Sequence, residues 1–296
     1  MSFAQFIVNG LLTGGVYAAV AVGFALIWGV VGVINLAHGE MVILGGYVTF
    51  WLTETVSGGG EPGLLVALAT VPVVFVALFF VGYIIHLAVV ERVAGKDMFL
   101  SLVATFGLSI VIQQLMIQAW SANTRTISIA FDDPSFIVAG VVFPKLKLIT
   151  FCVAVLLTLF LWIYLHKTKK GRGIRAVSQN PEAAKFVGID VGRIRAFTFG
   201  ISSAVAGAAG GLIAMTLSIN PNMGLNYTFR SFIIVVFGGI GSVTGSLLGG
   251  LGLAEIEQLT DAYIGNTWSL TAVFLALVFL IVVKPTGLFG SGEVEK

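Results

Sequence analysis

Seven stretches of this chain contain no aspartate, glutamate, lysine or arginine: 1–39, 62–90, 98–124, 148–166, 196–229, 231–254 and 262–283. A helix crosses the hydrocarbon core of a bilayer with about 20 apolar residues, and several of these runs are longer than one crossing needs. They are also too long for the strands of a membrane β-barrel. Composition agrees: 57% of residues are hydrophobic and 10% charged, with a mean hydropathy of +1.02, whereas soluble domains carry about 25% charged residues. A water-facing surface cannot be covered so sparsely. The expected fold class is an all-α integral membrane protein. The 37 glycines suit membrane helices that pack backbone to backbone.

The runs divide into about eight membrane segments, near 5–30, 40–56, 63–90, 98–119, 146–166, 196–218, 226–238 joined to 243–260, and 268–284. The seventh is broken because Phe237-Gly-Gly-Ile-Gly-Ser-Val-Thr-Gly245 holds four glycines in nine residues. A continuous helix there loses about 1 kcal/mol per Gly relative to Ala, so a turn between two helical pieces is expected. The chain reads as a single membrane domain over 1–296, with one hydrophilic loop at 167–195. Eight of the 16 Lys and Arg fall within that loop, which places it in the cytoplasm by the positive-inside rule. Counting spans from there puts the tail after 284 in the cytoplasm as well and the N-terminus outside. No basic residue precedes Arg92, so the first run lacks the charged start of a cleaved leader. The single cysteine, Cys152, forms no internal disulfide and is expected to pack inside a span.

Soluble chemistry finds few candidates. There is no Gly-x-x-x-x-Gly-Lys-Ser/Thr phosphate loop, no His-Glu-x-x-His zinc motif and no Gly-x-Ser-x-Gly nucleophile elbow. Three histidines and one cysteine build no metal site, and basic residues are not interleaved with aromatics as for nucleic acid.

The basic loop carries one well-punctuated helix. Asn180 suits an N-cap, Pro181 the first helical position, Glu182 the first turn and Gly188 a left-handed C-terminal cap. Ala183, Phe186 and Val187 share a face by i, i+3, i+4 spacing, and Ala183 and Ala184 are small enough for close approach to a groove. Two turns are not stable alone. This helix either lies on its own lipid surface or docks on a cytoplasmic partner.

Four stretches together carry a resemblance. They are the loop Lys167–Val191, Gly23-Phe-Ala-Leu-Ile-Trp-Gly-Val-Val-Gly-Val-Ile-Asn-Leu-Ala-His-Gly-Glu40, Asn220-Pro-Asn-Met-Gly224, and Val235-Val-Phe-Gly-Gly-Ile-Gly-Ser-Val-Thr-Gly-Ser-Leu-Leu-Gly-Gly250. The chain resembles the permeases of bacterial ATP-binding-cassette importers of the branched-chain amino-acid group, the shorter of the two permease types. The resemblance implies a division of labour. A homologous second permease subunit completes the pathway, two cytoplasmic ATPase subunits bind ATP and magnesium, and an external binding protein delivers the amino acid. This chain would hold no cofactor and is not an enzyme. Residues 180–188 would couple ATPase closure to the membrane helices.

Candidate pathway residues lie at breaks between apolar runs. Asn35, His38 and Glu40 form one break; by the span count they sit near the cytoplasmic interface, where a gating role and a structural one such as helix capping are both open. Asn220, Asn222 and Met223 form another. Val33-Ile-Asn35 followed by Gly39 matches Ser218-Ile-Asn220 followed by Gly224, and paired breaks are what internal transporter repeats leave in sequence. Arg230 either meets a substrate carboxylate or snorkels to the interface. Glu257 and Asp261 share a helical face near the outside. Gly241, Gly245 and Gly249 recur at four-residue spacing as a close-packing face. The function expected is import of branched-chain amino acids across the bacterial inner membrane. Permeation of urea or a short amide, or ion-gradient-driven secondary transport, is the alternative.

Overall fold

A computed structural model describes residues 3–130, 135–239, 242–284 and 286–289. Eleven α-helices are described: α1 (Phe3–Val31), α2 (His38–Ser57), α3 (Leu64–Ala88), α4 (Met98–Trp120), α5 (Lys145–Lys167), α6 (Lys169–Gln179), α7 (Pro181–Phe186), α8 (Val191–Thr216), α9 (Gly224–Gly238), α10 (Val243–Tyr263) and α11 (Ser269–Val283). Each expected segment has its counterpart. Six helical stretches are long and apolar enough to cross a membrane by themselves. α2, α9 and α10 fall outside that group: α9 has 15 residues, and α2 and α10 carry Glu40, Glu54, Glu255, Glu257 and Asp261.

α1 and α8 form the buried centre, while α3, α4, α5 and α11 turn most of their surface outward. Small residues allow the inner helices to touch backbone to backbone. A methyl on Gly250 would press on Ala18 of α1, and one on Gly210 would overlap the carbonyl of Val42 in α2. α9 and α10 form a tight antiparallel pair through Gly238 and Gly245, with Gly249 against the carbonyl of Ile234. Gly245 and Gly249 therefore pack inside the subunit, and Gly241 lies outside the described residues. Ser242 caps α10 by accepting from Gly245 N–H at 2.9 Å.

Two elements were not anticipated. α6 occupies the first half of the basic loop, capped by Thr168, whose oxygen accepts from Gly171 N–H at 2.9 Å. Between α4 and α5 a hairpin pairs β1 (Ser135–Val138) with β2 (Val141–Pro144). Its turn residues Ala139 and Gly140 both have positive φ, 51° and 80°, the geometry that matches strand twist in a two-residue hairpin. Gln5 of α1 brackets Val142, donating to its carbonyl at 2.7 Å and accepting from its N–H at 2.8 Å. Cys152 is exposed rather than packed.

The ends of the bundle sort cleanly. Ile174 and Val177 of α6 and Ala184 of α7 pack with Leu26, Val30 and Leu165, so the basic segment sits where α1 and α5 finish. Leu288 and Phe289 bond the carbonyls of Phe237 and Gly238, which brings the end of α11 to this same basic end. The start of α1 lies at the opposite end, beside the hairpin.

Candidate functional site: two helix breaks that meet

α1 ends at Gly32, whose φ of +74° suits a residue without a side chain. The chain then turns back, unwound, along α1. Such backbone needs partners at membrane depth, and two threonines from other helices supply them. Thr105 Oγ1 accepts from Leu36 N–H at 3.2 Å and donates to the Ile34 carbonyl at 3.0 Å. Thr228 Oγ1 accepts from Gly39 N–H at 2.8 Å and donates to the Leu36 carbonyl at 3.0 Å. His38 reaches the Val20 carbonyl in the middle of α1, with Nε2 3.0 Å away, and its ring meets Phe24 edge-on at 5.4 Å.

The position expected for Asn35, His38 and Glu40, near the cytoplasmic interface, is therefore corrected. The span count assumed that α2 starts where α1 stops. The unwound segment instead carries the chain back to mid-bundle first, and the three residues are 1%, 0% and 2% exposed. Asn35 does not cap α2, whose N-cap is Ala37 without a side-chain bond. It closes a turn instead, Oδ1 accepting from Ala37 N–H at 3.1 Å.

The second break repeats the first. After α8 the strand-like residue Ile219 exchanges two backbone bonds with Arg125, each 2.8 Å. Asn220 Oδ1 then accepts from Asn222 N–H at 3.0 Å, the same i, i+2 turn that Asn35 makes. Pro221–Met223 form one 3-10 turn and α9 begins at Gly224. The two helix starts touch. A methyl on Gly39 would overlap the carbonyl of Gly224, and one on Gly224 would strike the Glu40 carboxyl. From this junction α2 and α9 run to opposite ends of the bundle, so two helix N-termini converge on one buried carboxyl. Glu40 Oε2, Asn35 Nδ2 and His38 Nδ1 have no hydrogen-bond partner among the described residues.

Arg230 is corrected on both expectations. Its Nε donates to Glu257 Oε1 at 2.7 Å, with the two side chains 23% and 12% exposed, and its guanidinium lies over the rings of Tyr17 and Tyr227 at 5.6 and 5.7 Å. It neither snorkels nor stands free for a substrate. Glu257 is spent on this pair, and Asp261 accepts from Ser269 and Asn266.

In the basic segment, Asn180 Oδ1 accepts from the N–H groups of Glu182 and Ala183 at 3.0 and 2.9 Å. Pro181 is the first helical residue and Gly188 has φ +81°. Ala183, Phe186 and Val187 all point outward, Phe186 being 90% and Val187 76% exposed. Ala184 points the other way: at 3% exposed it packs on α6 and α8.

The family model described as "Branched-chain amino acid transport system / permease component" matches residues 6–283. The chain belongs to this family. As a branched-chain permease-family member it is 30% identical to the high-affinity branched-chain amino acid transport system permease protein BraD of Pseudomonas aeruginosa, over 99% of this chain and 98% of that one. It is 31% identical to LivH of Escherichia coli, over 99% and 97%. In fold it is similar to PsaBC from Streptococcus pneumoniae in complex with Fab, with a TM-score of 0.52 at 12% identity, covering 95% of this chain and 93% of that one. Among the described residues no group of His, Cys, Asp and Glu is arranged to hold a metal ion. For this family member, sequence reasoning passed over Thr105 and Thr228, which hold the unwound segment, because a lone threonine in an apolar run carries no signal of its own. It also passed over Gln113, whose Nε2 donates to Asn222 Oδ1 at 3.1 Å; a side-chain amide within a span was the available clue.

Proposed function

We propose that this chain is one of two homologous membrane subunits of an ATP-driven importer that moves leucine, isoleucine or valine across the bacterial inner membrane. Two cytoplasmic ATPase subunits supply hydrolysis with their own ATP and magnesium, and an external binding protein supplies the amino acid. The basic end faces the cytoplasm by the positive-inside rule. The names of the relatives support the substrate class.

One observation carries the mechanism: a two-turn helix, capped at both ends and outside the spans, leaves Phe186 and Val187 bare. Aromatic anchors of this kind dominate protein contacts by filling a partner's pocket. α7 is held from behind by Ala184 on α6 and α8, which begins three residues after Gly188. A push from an ATPase on α7 is thereby passed to α8, the most buried helix of the bundle, and from α8 to the junction where α2 and α9 start. The junction residues Asn35, His38, Glu40, Asn220, Asn222 and Met223 serve as the gate that this movement opens.

The test is uptake and ATPase stimulation in proteoliposomes holding the whole complex. Phe186→Ser keeps the protein inserted and abolishes stimulation by the loaded binding protein. Labelled-leucine uptake that excess urea suppresses as strongly as excess isoleucine would overturn the substrate class.

A further inference from the structure

A cavity of about 700 Å³ opens at the basic end of the bundle, between α1, α5, α6 and the start of α10. Each helix offers it a single face. α6 contributes Ile174, Arg175, Ser178 and Gln179, and α5 contributes Trp162, Leu165 and His166. The junction of α2 and α9 takes no part, since neither helix lines the cavity among the described residues. α5 packs on α1, α6 and α8 and turns most of its remaining surface outward. The cavity therefore lies on a flank of the bundle, away from that junction.

Its chemistry divides by depth. The floor is apolar, made by Ala25, Leu26 and Val30 of α1 with Leu165 of α5. Ala25 stands six residues before the end of α1 at Val31, about 9 Å below that end at 1.5 Å per residue. The rim is polar and positive. The Arg175 guanidinium and the Gln179 amide have no partner among the described residues, and the Thr244 hydroxyl lies 3.2 Å from that of Ser242. Trp162 stacks on His166 with ring centroids 4.5 Å apart, and tryptophan rings settle at the membrane–water boundary. No aspartate or glutamate lines the cavity among the described residues. Toward mid-membrane the apolar surface continues on both sides: Leu159, one turn before Trp162, and Leu248, one turn after Thr244, are 48% and 46% exposed.

We propose that this cavity seats the phosphate headgroup of an anionic phospholipid from the cytoplasmic leaflet. Basic pockets between membrane helices on the cytoplasmic side suit such headgroups. Arg175 meets the phosphate with its planar fork of N–H donors. Gln179 and Thr244 donate to the remaining oxygens, and the acyl chains run down past Leu159 and Leu248. A free phosphate ion would leave the apolar floor uncovered. An element of a cytoplasmic ATPase would have to descend to lipid depth to reach it. One bound headgroup ties α6 to α5 and α10, and so braces the segment that carries α7.

The experiment uses the complex purified in detergent, with whichever subunits accompany the chain. It is titrated with phosphatidylglycerol or with phosphatidylcholine of the same acyl chains, and bound lipid is read by native mass spectrometry. One tight phosphatidylglycerol is expected per chain, with phosphatidylcholine at least about tenfold weaker. Arg175→Gln is expected to weaken that site about tenfold, the effect of losing one hydrogen bond to a charged group. Thr244→Glu, which sets a carboxylate on the rim from a different helix, is expected to weaken it at least as much. Arg193→Gln removes the same charge from the same basic segment, at an 85% exposed side chain paired with Asp190, and is expected to leave the site unchanged. Equal losses in all three variants would mean diffuse attraction to charge and overturn the site. Displacement of the lipid by inorganic phosphate at equal concentration would make it a site for the free anion. Absence of bound lipid would overturn the proposal, and cross-linking of Thr244→Cys, in a Cys152→Ser chain, to an ATPase subunit would give the cavity to that partner. Binding is read without transport, so failure of the importer reading leaves this outcome decidable.

Discussion

At the scale of single residues, the junction of α2 and α9 is set by two glycines whose tolerances differ. The atoms nearest a methyl on Gly39 are backbone, the Gly224 carbonyl and the Thr228 nitrogen, whereas those nearest a methyl on Gly224 belong to the side-chain carboxyl of Glu40. Overpacking costs about 1–3 kcal/mol where neighbours can shift and more where they cannot. Gly39→Ala is therefore expected to lower the melting temperature of the purified complex well beyond Gly224→Ala, and Glu40→Ala should relieve only the latter. Equal losses for the two glycine variants would contradict the contact geometry. The Arg230–Glu257 pair obeys a different rule. Breaking a fully buried pair from one side leaves an uncompensated charge and costs about 3–5 kcal/mol, while replacing both partners with apolar residues is often neutral; this pair is part-buried, so its loss costs less. Arg230→Met alone is expected to destabilise and Arg230→Met with Glu257→Leu to recover most of the loss, read by thermal unfolding in detergent. A double variant as unstable as the single one would show that the pair does more than neutralise itself.

At the scale of elements, α7 has two faces with opposite consequences. Ala184 is packed on α6 and α8, so Ala184→Arg forces a charge into that seam and is expected to unseat the whole 167–195 segment, with loss of both folding and ATPase co-purification. Phe186→Ser changes only the bare face and is expected to leave the permease folded while uptake falls at least tenfold. Co-purification that survives Ala184→Arg together with uptake would mean that α7 hangs free. Much of this element was readable in advance. Asn180, Pro181 and Gly188 each announce a local backbone geometry, and α7 formed where they placed it. The direction of Ala184 was not readable, because it depends on α6, a helix whose Lys- and Arg-rich sequence hides the apolar pair Ile174 and Val177. The membrane helices follow the uncharged runs closely for the same local reason. Where α2 begins in depth was not readable: Gly32 stops α1, but the return of the chain to mid-bundle depends on Thr105 and Thr228, which are remote in sequence.

At the scale of the whole molecule, α2 and α9 start together at one buried point and run to opposite ends, each after an Asn-led turn. The short likeness between 33–39 and 218–224 was the only trace of this in sequence, since the helices around each break share little composition. On the proposed reading the two halves move against one another about this centre. The drive proposed here is an ATPase pair acting through α7, with a different homologous permease as partner. The intact complex should weigh as one copy of this 31.2 kDa chain with one second permease, two ATPases and no duplicate of itself; a mass containing two copies and no other permease would contradict the heterodimer. The most direct test of the account is leucine uptake into proteoliposomes that hold the complete complex, with the binding protein outside. Uptake is expected only when ATP is present on the ATPase side, and is expected to persist after ionophores have collapsed proton and sodium gradients. Uptake by this chain alone, driven by either gradient and indifferent to ATP, would contradict it.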